Sequence, residues 1–274
     1  MNPPARARRA LSWSGIAIFL FLWAPLLVVM LQSFNAAPYG TRWTGVTGQW
    51  YVKLFRDVGA GLAAWNSLQL ALWSTGIATV LGTMLALALH DRRLPARGLF
   101  RMNLYLPVVI PDIVMAVALL LFYALVRMWK GWFEPGMLTM VLGHATFEIP
   151  FVALVVRARM AGLDPALFEA ARDLGANPWQ GFWHVKFPLI WPGVLAGALL
   201  AFTLSLDDFV ISFFTGGAGN TTLAVHIYSL VKRGISPEIH ALSTLLIVVS
   251  VLATLAVTWL QRRNQARPAP PAGV

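Results

Sequence analysis

Six stretches of about 20 residues, almost free of charge, dominate the chain and decide what it can fold into. The first runs from Leu11 to Gln32 and the second from Leu62 to Leu89. The third, Met102 to Val126, is interrupted only by Asp112, and the fourth, Pro135 to Val156, holds His144 and Glu148. The fifth starts at Pro188 and is read as continuing past Asp207 and Asp208 to Phe214; the sixth, Ala241 to Leu260, carries no charge. A hydrocarbon core about 30 Å thick needs about 20 apolar residues in a helix rising 1.5 Å each. The predicted fold is therefore an all-α integral membrane protein of six transmembrane helices, forming one membrane domain over residues 1–274.

Composition excludes the main rivals. The chain is 58% hydrophobic and 12% charged, against about 25% charged in a soluble domain. A soluble chain this apolar would expose large greasy patches. There is no cysteine, so thiol nucleophiles and thiolate zinc sites are out. Thr222 to Val231 is apolar but too short to span, and reads as a surface helix. Arg6, Arg8 and Arg9 precede the first run as they would in a signal peptide. That run is longer than the 7–15 residues usual for a signal core, which favours an uncleaved anchor.

The net charge of +10 would suggest a nucleic-acid partner in a soluble protein, but its distribution says otherwise. Alternate loops differ in Lys and Arg, which orient membrane helices. One side holds Arg6, Arg8, Arg9, Arg92, Arg93, Arg97, Arg101, Arg157, Arg159, Arg172, Lys186, Arg262, Arg263 and Arg267, and among acids only Asp91, Asp164, Glu169 and Asp173. The other side holds Arg42, Lys53, Arg56, Arg127, Lys130, Lys232 and Arg233, balanced by the remaining acids. The whole excess lies where a topology signal puts it, so both termini are expected in the cytoplasm and no nucleic acid is needed. Trp13, Trp43, Trp50, Trp129, Trp132 and Trp259 fall near span ends, as an interfacial belt does.

The loop at 157–187 is built to touch something. Asp164 suits an N-cap, Pro165 the first helical position and Gly175 the αL stop, which bounds a ten-residue helix. Asn177-Pro178-Trp179-Gln180 opens a second helix with a capping box. Leu167, Ala170, Ala171 and Leu174 share one face of the first helix, low enough at the alanines for another backbone to approach. Composition alone allows equally an amphipathic helix lying on the membrane.

Glu169-Ala170-Ala171, Gly175 and, nine residues on, Val185-Lys186-Phe187-Pro188 resemble the EAA loop of ABC importer permeases. Val185 and Phe187 depart mildly from the commonest choices in that motif. Ser33-Phe34-Asn35, Pro111 to Ala116, His144-Ala145-Thr146-Phe147, Ser205-Leu206-Asp207-Asp208 and Ser236-Pro237-Glu238-Ile239 are similar to the spermidine/putrescine permeases. The resemblance implies a type I (MetI-like) importer permease fold in the bacterial inner membrane, moving polyamines. It implies a coupling helix, carried by Leu167, Glu169, Ala170, Ala171, Leu174 and Gly175, that docks on a cytoplasmic ATPase. The implied partners are a homologous second permease, two ATP-binding subunits that hold ATP and Mg, a periplasmic binding protein and membrane lipid.

Acids inside a span cost on the order of 2.5–3.5 kcal/mol to insert and are functional candidates. Asp112, Glu148, Asp207 and Asp208 are the candidates for a path taken by an organic cation. Helix rise places Asp112 about 16 Å and Glu148 about 13 Å above the cytoplasmic side, with Asp207 and Asp208 about 29 Å up. Each has a plainer reading. Asp112 follows Pro111, where the helix can break and restart with the Asp favoured by the helix dipole. Asp207 and Asp208 point about 100° apart on a helix, so both do not face one substrate. Glu148 departs from the resemblance. It binds substrate, pairs with His144 one turn away, sits protonated, or serves a structural or subunit-contact role, the last being favoured. His144 with Glu148 is not read as a metal site.

Gly216-Gly217-Ala218-Gly219-Asn220 lacks the Lys-Ser/Thr of a phosphate loop and reads as an outer turn available to a binding protein. Without a nucleotide motif, the chain is not expected to be an enzyme or to hydrolyse ATP itself. The rivals are the same machine carrying another small solute (an amino-acid derivative or a phosphonate), a proton-coupled carrier relaying through Glu148, Asp112 and His144, and an assembly protein with no transport role.

Overall fold

The computed structural model describes residues 5–38, 42–90, 94–164, 166–234 and 237–265. Side chains at 5–12, 168, 253–254 and 256–265 lie outside that description, as do Asp91, Arg92, Arg93, Pro165, Ser236 and Arg267 of the sequence reading. The described chain is almost wholly helical: α1 Ala5–Gln32, α2 Gln49–Arg56, α3 Val58–His90, α4 Arg97–Val109, α5 Asp112–Lys130, α6 Met137–Ala161 and α7 Ala166–Asp173. Then come α8 Pro178–Gln180, a π-helical stretch Gly181–Lys186, α9 Phe187–Asp207, α10 Val210–Thr215, α11 Leu223–Arg233 and α12 Pro237–Gln265. Five segments are long and apolar enough to cross a membrane, namely Trp13–Gln32, α3, α5, α6 and Pro178–Asp207. A sixth apolar helix, α12, runs 29 residues.

Two of the six predicted runs are not single helices. The third is divided into α4 and α5, because Ile110 and Pro111 are both extended. The residue before a proline is pushed out of the α region, and Pro111 has no N–H to continue the ladder. The fifth ends at Asp207 rather than Phe214. Asp208 is extended, and its carboxylate accepts from the N–H groups of Ile211 (3.3 Å) and Ser212 (2.9 Å) at the start of α10. A side-chain acceptor for the next backbone donors competes with helix continuation. The π-helical stretch has a similar origin. Pro188 cannot donate to the His184 carbonyl, and the Phe187 N–H turns instead to the Phe182 carbonyl, five residues back.

The chain divides into two units. The first comprises residues 1–58 and 227–274. In it, buried Asn35 knots the segment after α1: its Nδ2 donates to Gln32 Oε1 and to the Arg42 carbonyl (both 2.9 Å), while its Oδ1 accepts from Ala37 N (3.2 Å) and Thr44 N (3.1 Å). Trp50 Nε1 donates to the Asn35 carbonyl at 2.7 Å. Trp50 is thus buried at 8% exposure and is not part of an interfacial belt, because its indole N–H satisfies a buried carbonyl. Trp13, Trp43, Trp129 and Trp132 are exposed; the Trp259 side chain is outside the description. Lys53 pairs with Glu238, which fastens α2 to α12.

The second unit, residues 59–226, is organised on α6. Here α9 presents Gly193, Gly197, Ala201 and Ser205, all buried and spaced by four. A Cβ at Gly193 would lie 2.6 Å from Arg159 Cβ, and one at Gly197 would lie 3.1 Å from Val152 Cγ1. Ser74, Ala78, Gly82 and Ala86 form a matching buried row on α3. Small residues at such spacing let helix backbones approach closely, the usual means of packing in lipid. Ala78, Ala86, Leu104, Val152, Ala153, Val156, Ile190 and Ala201 form the resulting core of α3, α4, α6 and α9.

Candidate functional site

The rows of small residues on α3 and α9 each carry a serine, and between these serines lie the ionisable side chains of α6. His144 and Glu148 are fully buried. Ser74 Oγ lies 3.0 Å from Glu148 Oε1 and 3.1 Å from Ser205 Oγ. Ser205 Oγ lies 2.8 Å from His144 Nδ1. His144 Nε2 faces Ser212 Oγ at 3.0 Å and Asp208 Oδ2 at 3.3 Å. One polar chain thus joins α3, α6, α9, the α9–α10 joint and α10. Glu148 and His144 are 3.9 Å apart, beyond hydrogen-bond distance; Ser74 and Ser205 bridge them. Glu148 Oε2 has no hydrogen-bond partner.

The predicted acids therefore separate. Asp208 and Glu148 join this inner group, whereas Asp207 and Asp112 are exposed. Asp112 sits in the first turn of α5, where the helix dipole favours a carboxylate. Asp207 and Asp208 diverge because Asp208 has left the helix and turns its carboxylate to the N–H groups that open α10. Of the structural or subunit-contact role favoured from the sequence, the burial of Glu148 accords with the structural one, since it has no exposed surface. Its neighbours are hydroxyls from α3 and α9. Ser74 and Ser212 were missed by sequence reasoning, because a serine in an apolar run carries no spacing signal.

The loop motif is built as its caps predict. Asp164 Oδ1 accepts from Ala166 N at 2.9 Å. Gly175, at φ +83°, closes α7 with Gly175 N donating to the Arg172 carbonyl (2.9 Å) and Ala176 N to the Ala171 carbonyl (3.0 Å), a Schellman stop. Asn177 and Gln180 exchange reciprocal bonds, 2.8 Å from Gln180 N to Asn177 Oδ1 and 3.0 Å from Asn177 N to Gln180 Oε1. The described helix α7 has eight residues, shorter than the ten expected, with Pro165 outside the description. Leu167, Glu169, Ala170 and Leu174 are exposed, Leu174 at 89%. Beside them a hollow of about 380 Å³ is lined by Ala171, Arg172, Asn177, Phe182 and Lys186.

The Gly216–Asn220 segment is a turn packed on the start of α6. A Cβ at Gly217 would lie 1.9 Å from the Pro135 carbonyl oxygen, and Asn66 Nδ2 donates to the carbonyls of Gly219 (3.3 Å) and Thr221 (3.2 Å). No cluster of three or more metal-ligating side chains occurs among the described residues.

Comparisons with known proteins bear on the family and the fold. The chain is 37% identical over 246 residues, 90% of its length and 91% of the relative's, to the spermidine/putrescine transport system permease protein PotC of Escherichia coli (strain K12). It is 38% identical over 252 residues, 91% of its length and 90% of the relative's, to the putrescine transport system permease protein PotI of the same strain. Its fold matches a chain of a bacterial ABC transporter involved in the import of the acidic polysaccharide alginate, with TM-score 0.76 and 21% identity over 94% of this chain and 95% of that one. The family model of the binding-protein-dependent transport system inner membrane component matches residues 78–269. The chain belongs to that family: it is a multi-pass inner-membrane permease with the fold of ABC importer permeases, and the family is not one of enzymes.

Proposed function

We propose that this member of the binding-protein-dependent permease family carries polyamines, of the spermidine and putrescine class, into the cytoplasm as one subunit of an ATP-driven importer. The observation that carries the reading is identity above a third, over nine-tenths of the chain, to two permeases named for those substrates. The partners are a homologous second permease, two cytoplasmic ATPase subunits that bind ATP and Mg, and a periplasmic binding protein. The chain itself takes no part in hydrolysis. Both termini face the cytoplasm, as the distribution of Lys and Arg supports.

In this reading the exposed face of α7, with Leu167, Glu169, Ala170 and Leu174, meets the ATPase, and Ala171 and Gly175 fix its depth and its end. Closure of the ATPases is passed through the π-helical stretch to α9. Asp112 and Asp207, the exposed acids, are offered to the ammonium groups of the substrate. Asp208 and Glu148 are held by internal bonds and shape the path from behind. The breaks at Pro111 and Asp208 each have an exposed acid beside them, which suits a flexible polycation.

Uptake of labelled spermidine into proteoliposomes holding the co-purified complex tests this. Uptake is expected only with ATP inside, and unlabelled spermidine or putrescine should compete for it. ATP-dependent uptake without such competition would overturn the polyamine assignment, and uptake indifferent to ATP would overturn the importer assignment.

A further inference from the structure

Hydrogen bookkeeping within the buried group of α6 leaves it one hydrogen short. Asp208 Oδ2 lies 3.3 Å from His144 Nε2, and a ring lone pair pointing at a carboxylate is repulsive, so Nε2 carries a hydrogen. In a neutral imidazole Nδ1 is then an acceptor, and the Ser205 hydroxyl, 2.8 Å away, donates to it. The Ser205 hydrogen is thereby used. Ser74 has a single hydrogen for three neighbours, Glu148 Oε1 at 3.0 Å, Ser205 Oγ at 3.1 Å and the Ala71 carbonyl at 3.4 Å. With Glu148 ionised and His144 neutral, two oxygens must face each other across about 3 Å with no hydrogen between them, in a region sealed from water.

One added proton removes the conflict in either of two places. On Glu148 Oε1 it donates to Ser74, Ser74 to Ser205 and Ser205 to His144. On His144 Nδ1 the direction reverses: the ring donates to Ser205, Ser205 to Ser74 and Ser74 to Glu148. The two patterns have the same atoms and the same net charge; they differ in the sense of three hydrogen bonds and in charge placement, a neutral acid and ring in the first and a carboxylate with a doubly protonated ring in the second. We propose that Glu148 and His144 form an intramembrane proton-binding site that holds one exchangeable proton, shared through the hydroxyls of Ser74 and Ser205.

The surroundings suit that role. Asp208 fixes the ring from its far side, and Ser212 on α10 is a hydroxyl able to accept from Nε2. The other elements packed on the pair bring no further charge to it: α3 contributes Ser74 and α9 contributes Ser205, and no Lys or Arg among the described residues is bonded to Glu148, His144 or Asp208. Glu148 Oε2 has no hydrogen-bond partner among the described residues, so among them the relay ends at Glu148. Ser74 is the sole contribution of α3, so movement of α3 away from α6 and α9 cuts the relay and strands the proton at one end. The site is independent of which solute the permease carries.

The purified importer complex in lipid nanodiscs provides the test. Infrared spectroscopy reads the carboxylic-acid band of Glu148, identified by its loss in Glu148→Gln. Nitrogen NMR reads the His144 ring, identified by its loss in His144→Gln. One proton is expected in total: a neutral acid with a singly protonated ring, a carboxylate with a doubly protonated ring, or a mixture of the two. An ionised Glu148 with a singly protonated ring, or an acid with a doubly protonated ring, overturns the proposal. Glu148→Gln places an amide N–H against Ser74 and so supplies the missing hydrogen covalently. The thermal midpoint of the wild type should then fall as rising pH removes the proton, while that of Glu148→Gln does not follow. Equal pH profiles would overturn the proposal. In a Ser74→Ala background, Glu148→Gln should leave the His144 ring signal unchanged, and a change there would refute the route through Ser74.

Discussion

Replacing Gly82 by alanine tests whether α3 is held on α6 by backbone proximity. A methyl at Gly82 would lie 2.8 Å from the Ile149 carbonyl oxygen, 2.8 Å from Val152 Cβ and 3.0 Å from Val152 Cγ1. Comfortable carbon contacts begin at roughly 3.5 Å. The carbonyl and the Cβ cannot swing aside, so the helices must part by roughly 0.7 Å at that point. Overpacking of this kind costs about 1–3 kcal/mol, and a gap of 0.5–1 Å forfeits a quarter to a half of each dispersion contact around it. Set against that, alanine is favoured over glycine in a helix by about 0.8–1 kcal/mol. Gly82→Ala should therefore destabilise by up to about 2 kcal/mol. The internal control is Gly76→Ala on the same helix, where a Cβ meets nothing within 4 Å; it should be neutral or stabilising by up to about 1 kcal/mol. Thermal unfolding of the purified complex in detergent, followed by the fraction still monodisperse on gel filtration, separates the two. A Gly82→Ala midpoint at or above the wild type would refute close backbone packing as the cause, as would an equal fall in Gly76→Ala.

Four further outcomes follow from single residues. Gly217→Ala puts a methyl 1.9 Å from the Pro135 carbonyl oxygen, with backbone on both sides, and should lower the yield of membrane-inserted protein more than Gly82→Ala does. Trp50→Phe leaves the buried Asn35 carbonyl without the indole donor now at 2.7 Å, a loss of about 1–3 kcal/mol; it should show as faster proteolytic cleavage between α1 and α2. Gly175→Val forces a branched residue to φ +83° at a cost of about 1–3 kcal/mol, which should unravel the end of α7 and reduce ATP-driven uptake. Gly181→Ala, in open space, should leave uptake near the wild-type level.

Local features were legible in the sequence where their cause is local. The caps of α7 and α8 rest on neighbours two to five residues apart, so Asp164, Gly175, Asn177 and Gln180 could be assigned from spacing. Pro111 signalled a break in the same way, although an apolar count alone runs α4 and α5 together. The bend at Asp208 was hidden, because hydropathy does not distinguish an acid that continues a helix from one that accepts the next two N–H groups. Trp50 was misplaced for a related reason: its partner, the Asn35 carbonyl, is 15 residues away. Least legible was the inner polar group. His144 and Glu148 share a helical face at i,i+4, but the hydroxyls joining them come from positions 74 and 205.

The rows of small residues and the buried acid are two parts of one device. Helices in lipid gain little from the hydrophobic effect and associate through close packing and interhelical hydrogen bonds. Gly82 on α3 and Gly193 and Gly197 on α9 bring both backbones against α6. Ser74 and Ser205, in line with those glycines at four-residue spacing, then arrive within bonding distance of Glu148 and His144. Bulkier residues in either row would move the hydroxyls out of reach and leave a carboxyl in the bilayer without partners, at on the order of 2.5–3.5 kcal/mol. The acid therefore makes α6 unfavourable by itself and favourable once α3 and α9 are seated, so the three helices assemble together. A motion that parts them must break the polar chain as well as the packing. The opening of this unit is thereby tied to the buried site proposed above to hold a proton.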